Sequence, residues 1–194
     1  MKKFYLLVKR VDDIVLSLLG IIILSPLFLL LAVLIKLDSS GTVFFGQQRV
    51  GISKSHFNMY KFRTMYTDAP KNLPTHLLKN PETHITRIGK FLRRTSLDEL
   101  PQLFNILRGD MTIIGPRPAL WNQYDLIAER DKYGANDVLP GLTGWAQING
   151  RDTVEIPDKA RFDGYYVKNM GFAMDCKVFF KTIAVVLSHK GYMS

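Results

Sequence analysis

The stretch IVLSLLGIIILSPLFLLLAVLI, residues 14–35, holds 18 apolar residues in 22 and is interrupted only by Ser17, Gly20, Ser25 and Pro26. At about 1.5 Å per residue it is long enough to cross a hydrocarbon layer of about 30 Å, and it predicts a membrane segment. A cleaved signal peptide fits poorly: the apolar run exceeds the usual length of roughly 7–15 residues, and no small-x-small cleavage pattern follows. Pro26 lacks a backbone donor and crowds the preceding turn, so a kink or break is expected at Ser25-Pro26, with the Ser25 hydroxyl available to a freed carbonyl. Two half-helices of about 11 residues would each reach about 16 Å deep, which describes a re-entrant hairpin. Lys2, Lys3, Lys9 and Arg10 precede the segment, and Lys36, Arg49, Lys54, Lys61 and Arg63 follow it. Positive flanks prefer the cytoplasmic side, so both ends favour the same face. A kinked spanning helix stays open beside the hairpin on these arguments.

The remainder of the 194 residues suffices for one buried core, since domains cluster near about 100–150 residues. The balance of 26 basic against 17 acidic residues, +9, favours anionic partners such as lipid headgroups, nucleotides or nucleic acid. Cys176 is the single cysteine, so an internal disulfide and a cysteine zinc cluster are both excluded and nothing demands an oxidising compartment. The polar turn Asp38-Ser39-Ser40-Gly41 divides a membrane part, residues 1–40, from a catalytic part, residues 41–194.

Thr42–Phe45 and Phe57–Phe62 read as strands of a short hairpin, with Lys61 and Arg63 read, on the residues alone, as a solvated strand face. Thr67–Thr83 is polar and proline-containing and reads as a loop. Ile85, Ile88, Phe91 and Leu92 recur at helical spacing among Arg87, Lys90, Arg93 and Arg94, the pattern of a basic amphipathic helix that could lie at a membrane interface or pack on a core. Val178–Leu187 reads as an apolar-faced helix too short of apolar residues to be a second span. The expected fold is thus α+β and mainly helical: a re-entrant helical hairpin, a β-hairpin, and amphipathic interfacial helices around a compact catalytic core.

Asp98 and Glu99 lie in SLDELPQLFNILRGDM, just after Arg93 and Arg94. Ser96 and Glu99 fit an S-x-x-E capping box, and Asp98 could cap a helix with Pro101 in its first turn. A carboxylate at a helix N-terminus is held ionised by the dipole, and in that form it can ligate Mg²⁺ or attack phosphorus. Capping and catalysis are therefore both open on the residues alone. PGLTGWAQINGR, residues 140–151, reads as a Gly-rich loop exposing backbone donors and ending in Arg151.

Taken in order, the Ser25-Pro26 segment, YKFRTM at 60–65, LRRTSLDELPQLFNILRGDM at 92–111, IGPRP at 114–118 and PGLTGWAQINGR give a chain that resembles, over its full length, the monotopic phosphoglycosyl transferases among the bacterial sugar transferases. It resembles their minimal catalytic form, without added N-terminal spanning helices. The resemblance implies transfer of a sugar 1-phosphate from a UDP-sugar to undecaprenyl phosphate, releasing UMP, at the cytoplasmic face of the bacterial inner membrane. It implies a ping-pong mechanism in which Asp98 is the nucleophile and Glu99 its partner, positioning or deprotonating an attacking group. Mg²⁺ is the implied cofactor, with Asp98 as ligand. Lys61, Arg93 and Arg117 are assigned to phosphate, Arg151 to the nucleotide, and Asp163 and Gln147 to support of the site or contact with substrate. Tyr165 and Tyr166 are candidates for stacking on uracil or for packing.

Undecaprenyl phosphate, UDP-sugar and membrane lipid are the implied partners; a homodimer is left open, and nucleic acid is not expected. A membrane-tethered nucleic-acid-binding protein or scaffold remains the rival class, but it has no motif of its own and no account of Asp98-Glu99. A polytopic transferase is disfavoured by the single apolar segment.

Overall fold

The computed structural model describes residues 2–70, 80–150 and 154–187, and within them the chain is mainly helical. The apolar segment forms one long helix, α1 (Lys2–Asp38), assigned as continuous through Pro26 rather than broken there. Pro26 cannot donate to the carbonyl four residues back, Ile22, and the Ser25 hydroxyl donates to that carbonyl at 2.8 Å. The freed acceptor is thereby satisfied within the helix.

One face of α1 is buried or half-buried along its whole length: Tyr5, Lys9, Asp13, Ser17, Gly20, Leu24, Phe28, Leu31, Ile35 and Asp38 recur every three or four residues. The opposite side leaves Phe4, Leu7, Leu19, Ile23, Leu30 and Leu37 exposed. The inner face is polar near the N-terminus. Asp13 accepts from the Ile113 N–H at 2.8 Å, and Arg10 donates to the Ile106 and Leu107 carbonyls at the C-terminal end of a short helix, α4 (Gln102–Arg108). At the other end Asp38 accepts from the Ile88 N–H in the first turn of α3 (Arg87–Thr95), where a helix N-terminus favours an anion.

The expected hairpin is present as antiparallel β1 (Phe44–Val50) and β2 (His56–Phe62), with β1 starting later and running further than the sequence pattern implied. Alternation along β2 sends Phe62 inward, where it meets Leu31, Ile35 and Leu92 in one apolar cluster and the Phe28 ring at 5.3 Å. Lys61 consequently faces the other side of the hairpin. Asn105 of α4 accepts from the Tyr60 N–H and donates to the Asn58 carbonyl, replacing a third strand on this edge. Arg63 is buried rather than solvated: its guanidinium donates to the carbonyls of Ser39, Ser40 and Thr42 and ties down the exit from α1.

After β2 comes the segment expected to be loop, of which residues 71–79 lie outside the described residues; a four-residue helix, α2 (Pro81–His84), overlaps its end, and α3, the basic helix, follows, capped by Thr86. A second, parallel two-stranded sheet, absent from the sequence reading, pairs β3 (Thr112–Ile114) with β4 (Gly141–Thr143), with α5 (Tyr124–Asp131) in the crossover. Three-residue strands carry too little periodicity to be seen in sequence. The chain closes with α6 (Trp145–Ile148), α7 (Ile156–Lys168) and α8 (Phe172–Leu187). Tyr166 of α7 is core, with its hydroxyl donating to Ile114 O, and Tyr165 stacks on Trp145 at 5.3 Å; both tyrosines are therefore engaged in packing.

The IGPRP turn lies directly against PGLTG, and glycine is what allows it. A Cβ on Gly141 would stand 2.1 Å from the backbone nitrogen of Gly115, and one on Gly144 2.1 Å from the Gly115 carbonyl oxygen. Backbone cannot yield as a flexible side chain does. Gly141→Ala is therefore expected to destabilise the fold by about 1–3 kcal/mol or more, read as a lowered thermal midpoint, whereas Gly46→Ala, where a Cβ meets nothing within 4 Å, should shift it little.

Candidate active site

Four segments bring the candidate residues together. β2 supplies Lys61, the last turn of α3 supplies Arg93, a 3-10 turn at Leu97–Glu99 supplies both carboxylates, and the turn after β3 supplies Arg117. The 3-10 turn rests on the Phe62–Leu92 cluster through Leu97 and Leu100, so the packing that seats α1 also seats the acidic pair.

The capping expectation for this turn is not met. Ser96 lies in the left-handed region at the C-terminal end of α3 (φ 57°), and its side chain makes no cap bond to the turn. Pro101 is the N-cap of α4, likewise without a side-chain cap. The S-x-x-E spacing is present, but the backbone turns before a helix can start, so the pair is free of capping duty.

The two carboxylates have opposite surroundings. Glu99 Oε1 accepts from Lys61 Nζ at 2.8 Å and from Arg117 Nη2 at 2.5 Å, while Arg117 Nη1 reaches Oε2 at 3.3 Å, a forked clamp. Burial alone would push the Glu99 carboxyl up, but the Arg117 and Lys61 charges and hydrogen bonds outweigh it and hold the group well below the usual carboxylate range. Asp98 is 7 % exposed, and among the described residues its carboxylate accepts no hydrogen bond; Lys61 stands 3.6 Å from Oδ2. Burial pushes its carboxyl up; Lys61 draws it back, the Glu99 charge raises it further, and Arg93 and Arg117 offset it only in part. The dipole argument from sequence is thus replaced by a desolvated carboxylate held among cations. Arg93, partly desolvated itself, feels the Asp98 charge and donates Nε to Thr64 Oγ1 at 2.9 Å.

Of the remaining candidates, Asp163 lies outside this cluster. It is fully buried and pairs with Arg130, whose Nε and Nη2 donate to Oδ2 at 2.8 and 2.6 Å; burial pushes its carboxyl up against the Arg130 charge. Arg130 was not singled out in sequence, because a lone arginine in a polar helical stretch carries no motif. Gln147 donates to the Leu142 carbonyl at 2.9 Å, shaping its own loop. Arg151 lies outside the described residues.

Cations gathered around a buried carboxylate suit a phosphorylated anionic substrate. The matching family supplies the chemistry: a family model described as bacterial sugar transferase covers residues 4–189. The chain belongs to the bacterial sugar transferases. This transferase is 38 % identical to an exopolysaccharide production protein, ExoY, of Sinorhizobium fredii, over 95 % of its own length and 88 % of the relative. It is 41 % identical to an undecaprenyl-phosphate glucose phosphotransferase of Komagataeibacter xylinus, over 92 % of its length, and 40 % identical to a UDP-glucose:undecaprenyl-phosphate glucose-1-phosphate transferase of Escherichia coli, over 91 %. It spans 35 % and 39 % of those two longer proteins.

The contrast between the two carboxylates of the transferase predicts opposite effects on stability. Glu99→Gln strips the counter-charge from Arg117 and Lys61 and should cost about 1–3 kcal/mol. Asp98→Asn removes a desolvated charge that among the described residues accepts no hydrogen bond, and it should leave the thermal midpoint unchanged or raised. Thermal denaturation of the two variants in the same detergent checks both signs.

Proposed function

We propose that the transferase moves a sugar 1-phosphate from a UDP-sugar to undecaprenyl phosphate, yielding a polyprenyl diphosphate-linked sugar and UMP, as an initiating step of glycoconjugate assembly. The observation that carries this reading is Asp98: a buried carboxylate that among the described residues accepts no hydrogen bond, with Lys61 at 3.6 Å and the charges of Arg93 and Arg117 acting on it. A carboxylate tied up as Glu99 is would be a poor nucleophile, whereas Asp98 keeps its lone pairs for an incoming phosphorus.

An Asp98 oxygen attacks the phosphorus that carries the sugar. The bond from that phosphorus to the bridging oxygen breaks, and UMP leaves with the electron pair. An oxygen of undecaprenyl phosphate then attacks the same phosphorus, the bond to Asp98 breaks, and the carboxylate is restored. Lys61, Arg93 and Arg117 offset the charge that would otherwise keep two anions apart, and Arg117 and Lys61 arrive already ordered by Glu99. Glu99, held strongly ionised, has little proton affinity, so its part here is to hold those cations rather than to take a proton.

Among the described residues no cluster of three or more acidic or histidine side chains forms a protein cage for a metal. Mg²⁺ commonly takes one or two carboxylates and completes its shell with substrate phosphates and water, and Asp98 fits that donor set. When bound, the ion would supply charge neutralisation at the phosphoryl oxygens.

Membrane seating follows from α1, which is long and apolar enough to cross a bilayer by length and composition. A re-entrant path is supported by two features. The beginning and the end of α1 are both hydrogen-bonded to the same folded body, through Arg10 and Asp13 on one side and Asp38 on the other. Arg10 and Phe28 also both meet α4, at Ile106–Leu107 and at Phe104. The catalytic face and both helix ends then share the cytoplasmic side.

Incubating the purified transferase with Mg²⁺ and each of UDP-glucose, UDP-galactose, UDP-N-acetylglucosamine and UDP-N-acetylgalactosamine, without lipid, should release UMP. Intact mass should rise by one sugar phosphate, and Asp98→Asn should lose both signals. UMP release without a mass increment would overturn the covalent route, and neither signal with any donor would overturn the activity. In a Cys176→Ser background, the single substitutions Lys3→Cys and Ser40→Cys should both be labelled from the same side of sealed vesicles; labelling from opposite sides would establish a spanning helix instead.

A further inference from the structure

The segment that carries Arg117 is held by its backbone more firmly than a surface turn requires. Pro116 and Pro118 fix φ on both sides of Arg117 and restrict the residues before them to extended conformations, so the main freedom left is the orientation of the Arg117–Pro118 peptide. That peptide has no N–H. Its carbonyl accepts from Arg130 Nη2 at 2.9 Å, and the next carbonyl, Pro118, accepts from Arg49 Nη1 at 3.0 Å.

Arg130 is a costly way to make one hydrogen bond. Its side chain and that of Asp163 are 4 % and 1 % exposed, and such a pair usually stabilises a fold no better than well-packed apolar residues would. Asp163 uses a single oxygen, Oδ2, to take both Nε and Nη2, which orients the guanidinium plane, and Nη2 is the nitrogen that then reaches Arg117 O. From that fixed carbonyl the Arg117 side chain extends to the forked contact with Glu99. The buried pair thus connects α5 and α7 to the one backbone group that aims the Arg117 guanidinium.

We infer that Arg130, oriented by Asp163, is a positioning residue for Arg117 in phosphate recognition. The inference rests on the proposed reaction and adds to it a residue outside the reacting cluster. Lysine at position 130 keeps the charge beside Asp163 but has no planar fork to hold the acceptor and the Arg117 carbonyl at once.

A double-mutant cycle tests it with UMP release as the readout, using the four UDP-sugars named above. Arg130→Lys should lower kcat/KM by about 10- to 100-fold per folded molecule, the scale of a misplacement of about 1 Å in a catalytic group. In an Arg117→Ala background the same change should cost less than about twofold, because the side chain it aims is gone. Thermal midpoints of all four proteins separate this from a general loss of packing. If Arg130→Lys does not accumulate as folded protein, Asp163→Asn, which keeps the shape of the buried acceptor, replaces it in the cycle. Multiplicative losses, or wild-type kinetics in Arg130→Lys, would overturn the positioning role while leaving the reaction intact. Full activity in Arg117→Ala alone would instead remove Arg117 from phosphate recognition, and no UMP release from wild type would remove the reaction itself; the inference falls with either.

Discussion

Glu99 is shared between a strand and a turn that are 56 residues apart in the chain: Lys61 reaches it from β2 and Arg117 from beyond β3. Two cations brought this close would repel each other and would cost desolvation energy if left unpaired. One carboxylate between them offsets both terms and closes the hairpin, the 3-10 turn and the IGPRP turn into a single surface. The geometry is demanding. It needs β2 in a register that points Lys61 away from the Phe62 cluster, a helix α3 that ends in the left-handed Ser96, and a turn at Arg117 whose backbone is fixed from behind by Arg130.

The helix α1 is subject to a second constraint, because its surface must suit two environments. Apolar side chains all round would bury no better against the body than against lipid, so nothing would fix its rotation. Asp13, Ser17, Arg10 and Lys9 on the inner face break that symmetry. Asp13 takes a backbone N–H of β3, Ser17 bonds its own helix, and Lys9 with Tyr5 meets Asp175 of α8. Asp13, Arg10 and Lys9 meet their partners on the body only in one orientation of the helix. The body of the transferase is therefore held by specific hydrogen bonds while the exposed face stays apolar.

How much of this was legible in the sequence depended on the range of the interaction. The apolar run and the basic helix around Arg87–Thr95 are local patterns, and the structure places helices at both, although α1 runs through Pro26 without the expected break. The Ser25 hydroxyl on the Ile22 carbonyl follows from proline chemistry alone. Motif resemblance selected Lys61, Arg93, Asp98, Glu99 and Arg117, which no periodicity could have joined, since they come from four segments. Three features escaped for a common reason. The β3–β4 pair is too short for a period, Arg63 looks solvated until the α1 exit is placed beside it, and Arg130 means nothing without Asp163 33 residues later. In each case the signal is a partner distant in the chain. The capping box misled in the opposite way, because its spacing is local while the left-handed Ser96 ends α3 and leaves only a 3-10 turn at Leu97–Glu99.

The different fates of adjacent carboxylates follow from the direction of their cations. On a 3-10 turn successive side chains point about 120° apart, so a cation that reaches one residue at hydrogen-bond distance meets its neighbour only at longer range. Lys61 shows the difference directly, 2.8 Å from Glu99 and 3.6 Å from Asp98. If both groups were clamped, the site would gain stability and lose its acceptor-rich carboxylate; if neither were, two like charges would share a desolvated turn with nothing to hold the cations. Neutralising one fully and the other incompletely keeps the cations ordered and leaves Asp98 in an environment that disfavours its charge. A group in that condition gains most from an incoming partner that delivers positive charge or an electrophilic phosphorus, which is the property that the proposed attack by Asp98 would use.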